Sequence, residues 1–171
     1  MFDRLFYAIE FIVQWFSFAT VVDAYEYGLV LRLGKFNRTL SPGLHFIYPF
    51  GVDQVFTENV VQETQSVSTQ SLTTKDGKNI IISAVLSYRI KDIRKYMLEV
   101  EDAAGVLEDS TYGVVAAAVE RADWDEIRLP EFTEEVYKAI RQKAFRWGVE
   151  VISLQFSDKS LSRTLRLVMD S

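Results

Sequence analysis

The chain has no cysteine. That excludes a disulfide framework, a thiolate metal site, a Cys nucleophile and S-acylation together. It has a single histidine, His45, so no pair of imidazoles can hold a metal, and a Ser-His-Asp arrangement would have to pass through that one residue. No Gly-x-Ser-x-Gly elbow is present to raise a serine. A carboxylate pair could be drawn from Asp123, Asp125 and Glu126, but acids at a helix start ordinarily serve as caps and dipole partners. Runs of one charge are missing too: nineteen Lys and Arg stand against twenty-four Asp and Glu, net -5, which argues against a nucleic-acid partner. Internal repeats and low-complexity linkers are absent. At 171 residues the chain can form one domain with a real core and a short appendage at either end. The expectation is a protein that is not an enzyme and needs no cofactor.

What is present is concentrated at the amino terminus. Leu5 to Val22, LFYAIEFIVQWFSFATVV, is eighteen residues with no Gly or Pro and one ionisable side chain, Glu10. As a helix it measures about 27 Å, near the roughly 30 Å of bilayer hydrocarbon. Asp3, Tyr7, Glu10, Gln14 and Ser17 alternate at steps of four and three, one narrow polar stripe on such a helix. Surface-lying amphipathic helices have a wide, cationic polar face, and this stripe is thin and mildly acidic. The expectation is a membrane anchor over residues 1–22, with Tyr7, Glu10, Gln14 and Ser17 as a seam toward neighbouring copies, a lumen or another membrane protein. Arg32, Lys35 and Arg38 follow the segment and only Arg4 precedes it, a positive-inside pattern that points to a cytoplasmic main domain.

After Asp23 the pattern becomes strand-like. Tyr25 to Lys35 alternates around Gly28 and Gly34, as two short strands joined by turns would. Leu44–Tyr48, Val52–Thr57 and Val60–Thr73 read as extended, with Thr74-Lys75-Asp76-Gly77-Lys78 as a turn into a central strand from Asn79 to Ile90. Beyond Lys91 the signals turn helical: a short helix after an Asp92 cap, a longer one from Ala103 to Ala122, a turn at Trp124–Ile127, and a helix from Glu131 to Trp147, opened by Pro130 and ended by Gly148. Val149 to Phe156 then reads as a strand with Val149, Val151 and Leu154 facing the core, and a last helix starts at Ser160.

Several of these stretches, taken in order, resemble one family. They are Glu26-Tyr27-Gly28-Leu29-Val30-Leu31-Arg32-Leu33-Gly34-Lys35-Phe36, Arg38-Thr39-Leu40-Ser41-Pro42-Gly43-Leu44-His45-Phe46, Pro49-Phe50, Thr74-Lys75-Asp76-Gly77, Tyr88-Arg89-Ile90-Lys91-Asp92 and Trp147-Gly148-Val149-Glu150. Order and spacing over residues 24–158 resemble the stomatin, prohibitin and flotillin superfamily, also called band 7 or SPFH, to which the HflK-HflC proteins belong. The resemblance implies an α+β fold: an N-terminal membrane helix, then a two-part SPFH domain, with a mostly antiparallel sheet over about 24–85 and a sheet with helices over about 86–158. A short C-terminal helix, 159–171, would stand where relatives continue past the positions of Leu165 to Met169 into a long charged helix. It also implies a non-enzymatic scaffold that self-associates into rings or larger oligomers, organises membrane lipids into microdomains, and regulates membrane proteins such as an AAA membrane protease. With the sequence ending at Ser171, ring contacts are expected from the globular part. An accessory subunit that binds one membrane client without self-assembly is the alternative.

One stretch stands apart. Ser41-Pro42-Gly43 sets a tight turn, and His45, Phe46, Ile47, Tyr48 and Phe50 follow it as an amphipathic hairpin. Such a sequence either packs under the sheet or rests at headgroup level beside the anchor, with His45 a packed or hydrogen-bonded residue.

Overall fold

The computed structural model describes residues 18–162. The expected anchor through Ser17, with its seam of Tyr7, Glu10, Gln14 and Ser17, lies outside the described residues, as does the C-terminal segment after Ser162. Among the described residues no helix is long and apolar enough to cross a membrane. The chain divides into two compact units between Val61 and Gln62. The expected division lies near residue 85. The strand from Asn79 to Ile90 moves it, because it pairs with strands on both sides of it in the second unit and cannot be parted from either.

Among the described residues the first unit holds five strands: β1 (Ala19–Val22), β2 (Glu26–Arg32), β3 (Lys35–Leu40), β4 (Gly43–Phe46) and β5 (Asp53–Asn59). β1 pairs with β4 as a two-stranded ribbon, and β2 lies between β3 and β5 in a three-stranded sheet. All these pairs are antiparallel. Residues 19–22 are therefore a strand and not the last turn of a helix. Thr20, Val21 and Val22 are β-branched, stiff at χ1 and suited to a pleat, and β4 supplies the partner. Gly28 is not a turn residue either. It sits inside β2, where a Cβ would come within 3.3 Å of the Leu40 side chain and the Phe56 carbonyl. The core of this unit is small: Val22, Val30 and Leu40 are buried, with Val55 against them.

The second unit contains β6 (Glu63–Thr73), β7 (Asn79–Ile90), helices α1 (Ile93–Leu98), α2 (Ala103–Val119), α3 (Trp124–Ile127) and α4 (Pro130–Ala144), and β8 (Val149–Leu161). β7 is the middle strand, antiparallel to both neighbours. Its residues at 80, 82, 84, 86, 88 and 90 are all buried, a period of two that puts one face into the core. Leu107, Val114, Val115 and Val119 of α2 and Phe132, Val136, Ile140 and Ala144 of α4 close over that face at helical spacing. β8 buries Val149, Val151 and Leu154, and the change of parity has a cause. Tyr88 pairs with Val151 while Ser87 pairs with Ser153, so Ile152 is an extra residue in a bulge. Ser160 and Leu161 continue this strand, opposite Ile81 and Ile80, where sequence reading began a helix.

Local signals end the elements. Asp92 accepts from the Arg94 and Lys95 amides at the start of α1, and Asp102 from the Gly105 amide at the start of α2. Asp76, in the β6–β7 turn, accepts from the Trp124 amide at 3.2 Å and tethers the turn to the start of α3. Lys78 beside it, with the Thr74 hydroxyl, holds its carboxyl down to about 2. α4 passes into a 3-10 turn and stops at Gly148, whose φ of 77° and close approach to the Asp92 carbonyl, 2.3 Å from where a Cβ would stand, leave no room for a side chain.

Candidate functional site: an apolar, cationic end of the first unit

The strand directions bring four chain segments of the first unit to one end. β1 begins there at Phe18–Ala19, β2 ends there at Arg32, β4 ends there at Phe46, and β5 starts there at Asp53. Two loops cap this end: the two-residue hairpin Leu33-Gly34 and the loop from Ile47 to Val52. Backbone bonds tie them together, with the Leu33 amide donating to the Val52 carbonyl at 2.8 Å and the Ile47 amide to the Phe18 carbonyl at 2.8 Å.

The side chains on this end are large, apolar and open to solvent. In the β1–β4 ribbon, Val21 pairs with Leu44 and Ala19 with Phe46, so these four share the face opposite buried Val22. Phe46 is 73% exposed, and Val21 and Leu44 are exposed as well. Tyr48 and Phe50 are each 58% exposed, and Leu33 is 76% exposed. Isolated exposed apolar residues need no explanation, but a contiguous set at one end does.

Backbone conformation singles out two of them. Among the described residues the non-glycine positions with positive φ are Leu33, at 49°, and Phe50, at 63°. The left-handed region costs an L-residue roughly 1–2 kcal/mol, and hairpins of this kind prefer Asn-Gly or Asp-Gly. The fold thus keeps bulky apolar side chains at two tips where a polar residue would sit more easily. Strain retained at an exposed loop is a feature of binding sites.

Behind the tips an ion pair sets the loop. The Asp53 side chain has no solvent exposure and accepts from Arg32 Nε at 2.8 Å and Nη2 at 3.1 Å, and from the Tyr48 amide at 3.0 Å. The Arg32 guanidinium lies 4.3 Å from the Tyr48 ring centroid. The guanidinium and the Tyr48 amide hold the Asp53 carboxyl below the usual carboxylate range against the opposing effect of burial. Asp53→Asn, which keeps the size and loses the charge, is expected to lower Tm by roughly 5 °C near neutral pH. Because the folded-state pKa is depressed, the stabilisation is present above the ordinary Asp value and fades as pH falls through the lowered one. Wild type and variant should therefore converge in acid, as thermal melts across pH would record.

Each residue of the predicted hairpin can now be placed. Phe46, Tyr48 and Phe50 are exposed, and Ile47 and His45 are half-buried, so burial under the sheet is corrected. The pleat explains it, since β4 turns Leu44 and Phe46 away from the core. His45 pairs with Thr20 on the inner side, its Nε2 2.6 Å from the Ser41 carbonyl oxygen, a structural contact across the Pro42-Gly43 turn. Asp53 is new at this end, and Leu33 and Arg32 take places here that the sequence alone does not assign to them. Leu33 carried a signal, a leucine where a two-residue hairpin wants Asn or Asp. The Arg32–Asp53 pair carried none, because it depends on the β2–β5 register.

Comparison with known proteins adds the lineage. A model of the SPFH domain / Band 7 family matches residues 20–170. This span begins inside β1, earlier than the boundary at residue 24 read from sequence. Among similar curated proteins, an uncharacterised protein of Archaeoglobus fulgidus is 26% identical over 155 residues, covering 90% of this chain and 62% of its own length. Protein HflK of Vibrio cholerae is 36% identical over 154 residues, 85% of this chain and 38% of that one. A stomatin homologue of Pyrococcus horikoshii is 23% identical over 155 residues, 87% of this chain and 56% of that one. The chain thus spans about two fifths to three fifths of these relatives. With its antiparallel sheets, helical layer and matched span, it belongs to the SPFH domain / Band 7 family.

Proposed function

We propose that this protein is a membrane-associated, non-enzymatic scaffold that self-assembles on the bilayer and organises a lipid microdomain or regulates a membrane protein, an AAA membrane protease being one such client. The observation that carries the reading is the exposed apolar end of the first unit, where Leu33, Phe46, Tyr48 and Phe50 stand together and two of them occupy strained backbone. Phe18, the first described residue, lies at that same end, so the apolar amino-terminal segment joins the unit where the tips are. Likeness to HflK and to stomatin homologues supports the same reading. In it the main domain faces the cytoplasm, the amino-terminal segment and the tips meet lipid, and Tyr7, Glu10, Gln14 and Ser17 face a neighbouring copy or another membrane protein.

The experiment is electron microscopy of the full chain in detergent and in lipid discs. Rings or closed arrays of a defined copy number are the expected result. Uniform monomers in both media would overturn the scaffold and leave an accessory subunit.

A further inference from the structure

Charge in the first unit is sorted along β2. At the strand's start stand Glu26, its preceding Asp23, and Glu58 opposite Tyr27. Arg32 and the paired Lys35 stand at its end, roughly 20 Å away at the rise of an extended strand. Arg38, opposite Val30, donates through Nη2 to the Phe46 carbonyl and so reaches toward the apolar end. Asp53 is the acid at this end, and its side chain is sealed from solvent and occupied by Arg32. Among the described residues Lys35 and Arg38 form no ion pair, although the Arg38 charge also helps to hold the Asp53 carboxyl down. Two cations are thus in excess beside four large apolar side chains, in a protein whose net charge is -5.

Those two features together describe one kind of surface. A guanidinium carries five N–H donors and an ammonium three, so both Arg38 and Lys35 can donate to phosphate oxygens. The apolar tips beside them need a medium other than water. Nucleic acid would satisfy the cations and leave Leu33, Phe46 and Phe50 wet. A bilayer with anionic headgroups satisfies both, and repels the acidic end to set the unit upright.

We propose that this end is a binding site for anionic phospholipid, with Leu33, Phe46 and Phe50 at the acyl boundary and Lys35 and Arg38 on the headgroup phosphates. The proposal rests on membrane association and adds its lipid class. Each cation near an anionic leaflet is worth about a fivefold change in binding, so the preference is a matter of charge and falls with salt.

The absence of cysteine makes the test direct, because a single introduced thiol takes the label. The full chain carrying Leu33→Cys, with an apolar environment-sensitive fluorophore in place of the lost side chain, is placed in discs of phosphatidylcholine alone or with phosphatidylglycerol. The expected result is a blue-shifted, lipid-quenched probe in the anionic discs. Engagement should weaken about fivefold in Lys35→Gln, further in Lys35→Gln with Arg38→Gln, and under about 0.5 M salt. Among the described residues the Lys35 side chain makes no hydrogen bond or ion pair, so its single variant decides the matter if Arg38→Gln misfolds. Equal engagement in neutral and anionic discs, or indifference to Lys35→Gln, overturns the lipid class and leaves membrane contact standing. Displacement by inorganic phosphate at matched ionic strength would mark a free-anion site and also overturn it. A probe that stays in water in every disc overturns membrane contact as well.

Discussion

The variant combining Leu33→Asn, Phe46→Ser and Phe50→Asn is expected to lose contact of the first unit's apolar end with lipid by roughly a thousandfold, and to melt no lower than wild type. Burying a large apolar side chain is worth about 1.5–3 kcal/mol, and partial burial of three gives about 4 kcal/mol. The fold should not object, because all three side chains are mostly in solvent. At positions 33 and 50 it should gain. Asn tolerates positive φ far better than Leu or Phe, and both changes create an Asn-Gly pair, since Gly34 and Gly51 already follow with φ of 76° and 72°. Lipid quenching of a probe at this end reads the first effect and calorimetry the second. A lower Tm would mean that the fold itself depends on these side chains, and the case for a binding surface would fail.

Leu86→Ala is expected to cost about 3–4 kcal/mol in a denaturant titration, the largest effect of a single substitution anticipated for this chain. Leu86 has no exposed surface and sits at the middle of β7, with Gln65 and Leu154 on its two sides and the α2 and α4 stripes over it. Removing three heavy atoms there leaves a cavity that the sheet cannot collapse, since β7 is fixed by ladders on both edges. The control lies five residues away. Ile81 points to the opposite, half-exposed face of the same strand, and Ile81→Ala should cost about 1 kcal/mol. Similar losses at both sites would show that the second face is also closed in the working protein.

The second unit was largely legible in the sequence because its rules are local. The alternation of β7, the Asp92 cap, the Pro130 start and the Gly148 stop each depend on one element and its neighbour, and each appears where expected. The first unit was less legible, because its strands are short and their meaning lies in pairing. Thr20-Val21-Val22 can continue an apolar helix or form a strand, and only the presence of Gly43-Leu44-His45-Phe46 across from it decides. The same pairing determines that Phe46 faces out, which no periodicity over four residues could establish. The division into units was misplaced for a related reason: β6 and β7 look like the rest of an antiparallel sheet until β8, some sixty residues later, claims β7.

The strand β1 has a further consequence for how deep the protein can reach. By taking Ala19 to Val22 into the folded unit, it leaves Leu5 to Phe18 of the mainly apolar stretch, with Glu10, Gln14 and Ser17 within it, beyond the charged pair Asp3-Arg4. A helix of that length would measure about 21 Å, two thirds of the hydrocarbon thickness. Pairing with β4 thus withdraws Ala19 to Val22 from any helix that precedes them, and the hydrogen bond from the Ile47 amide to the Phe18 carbonyl fixes where that withdrawal begins.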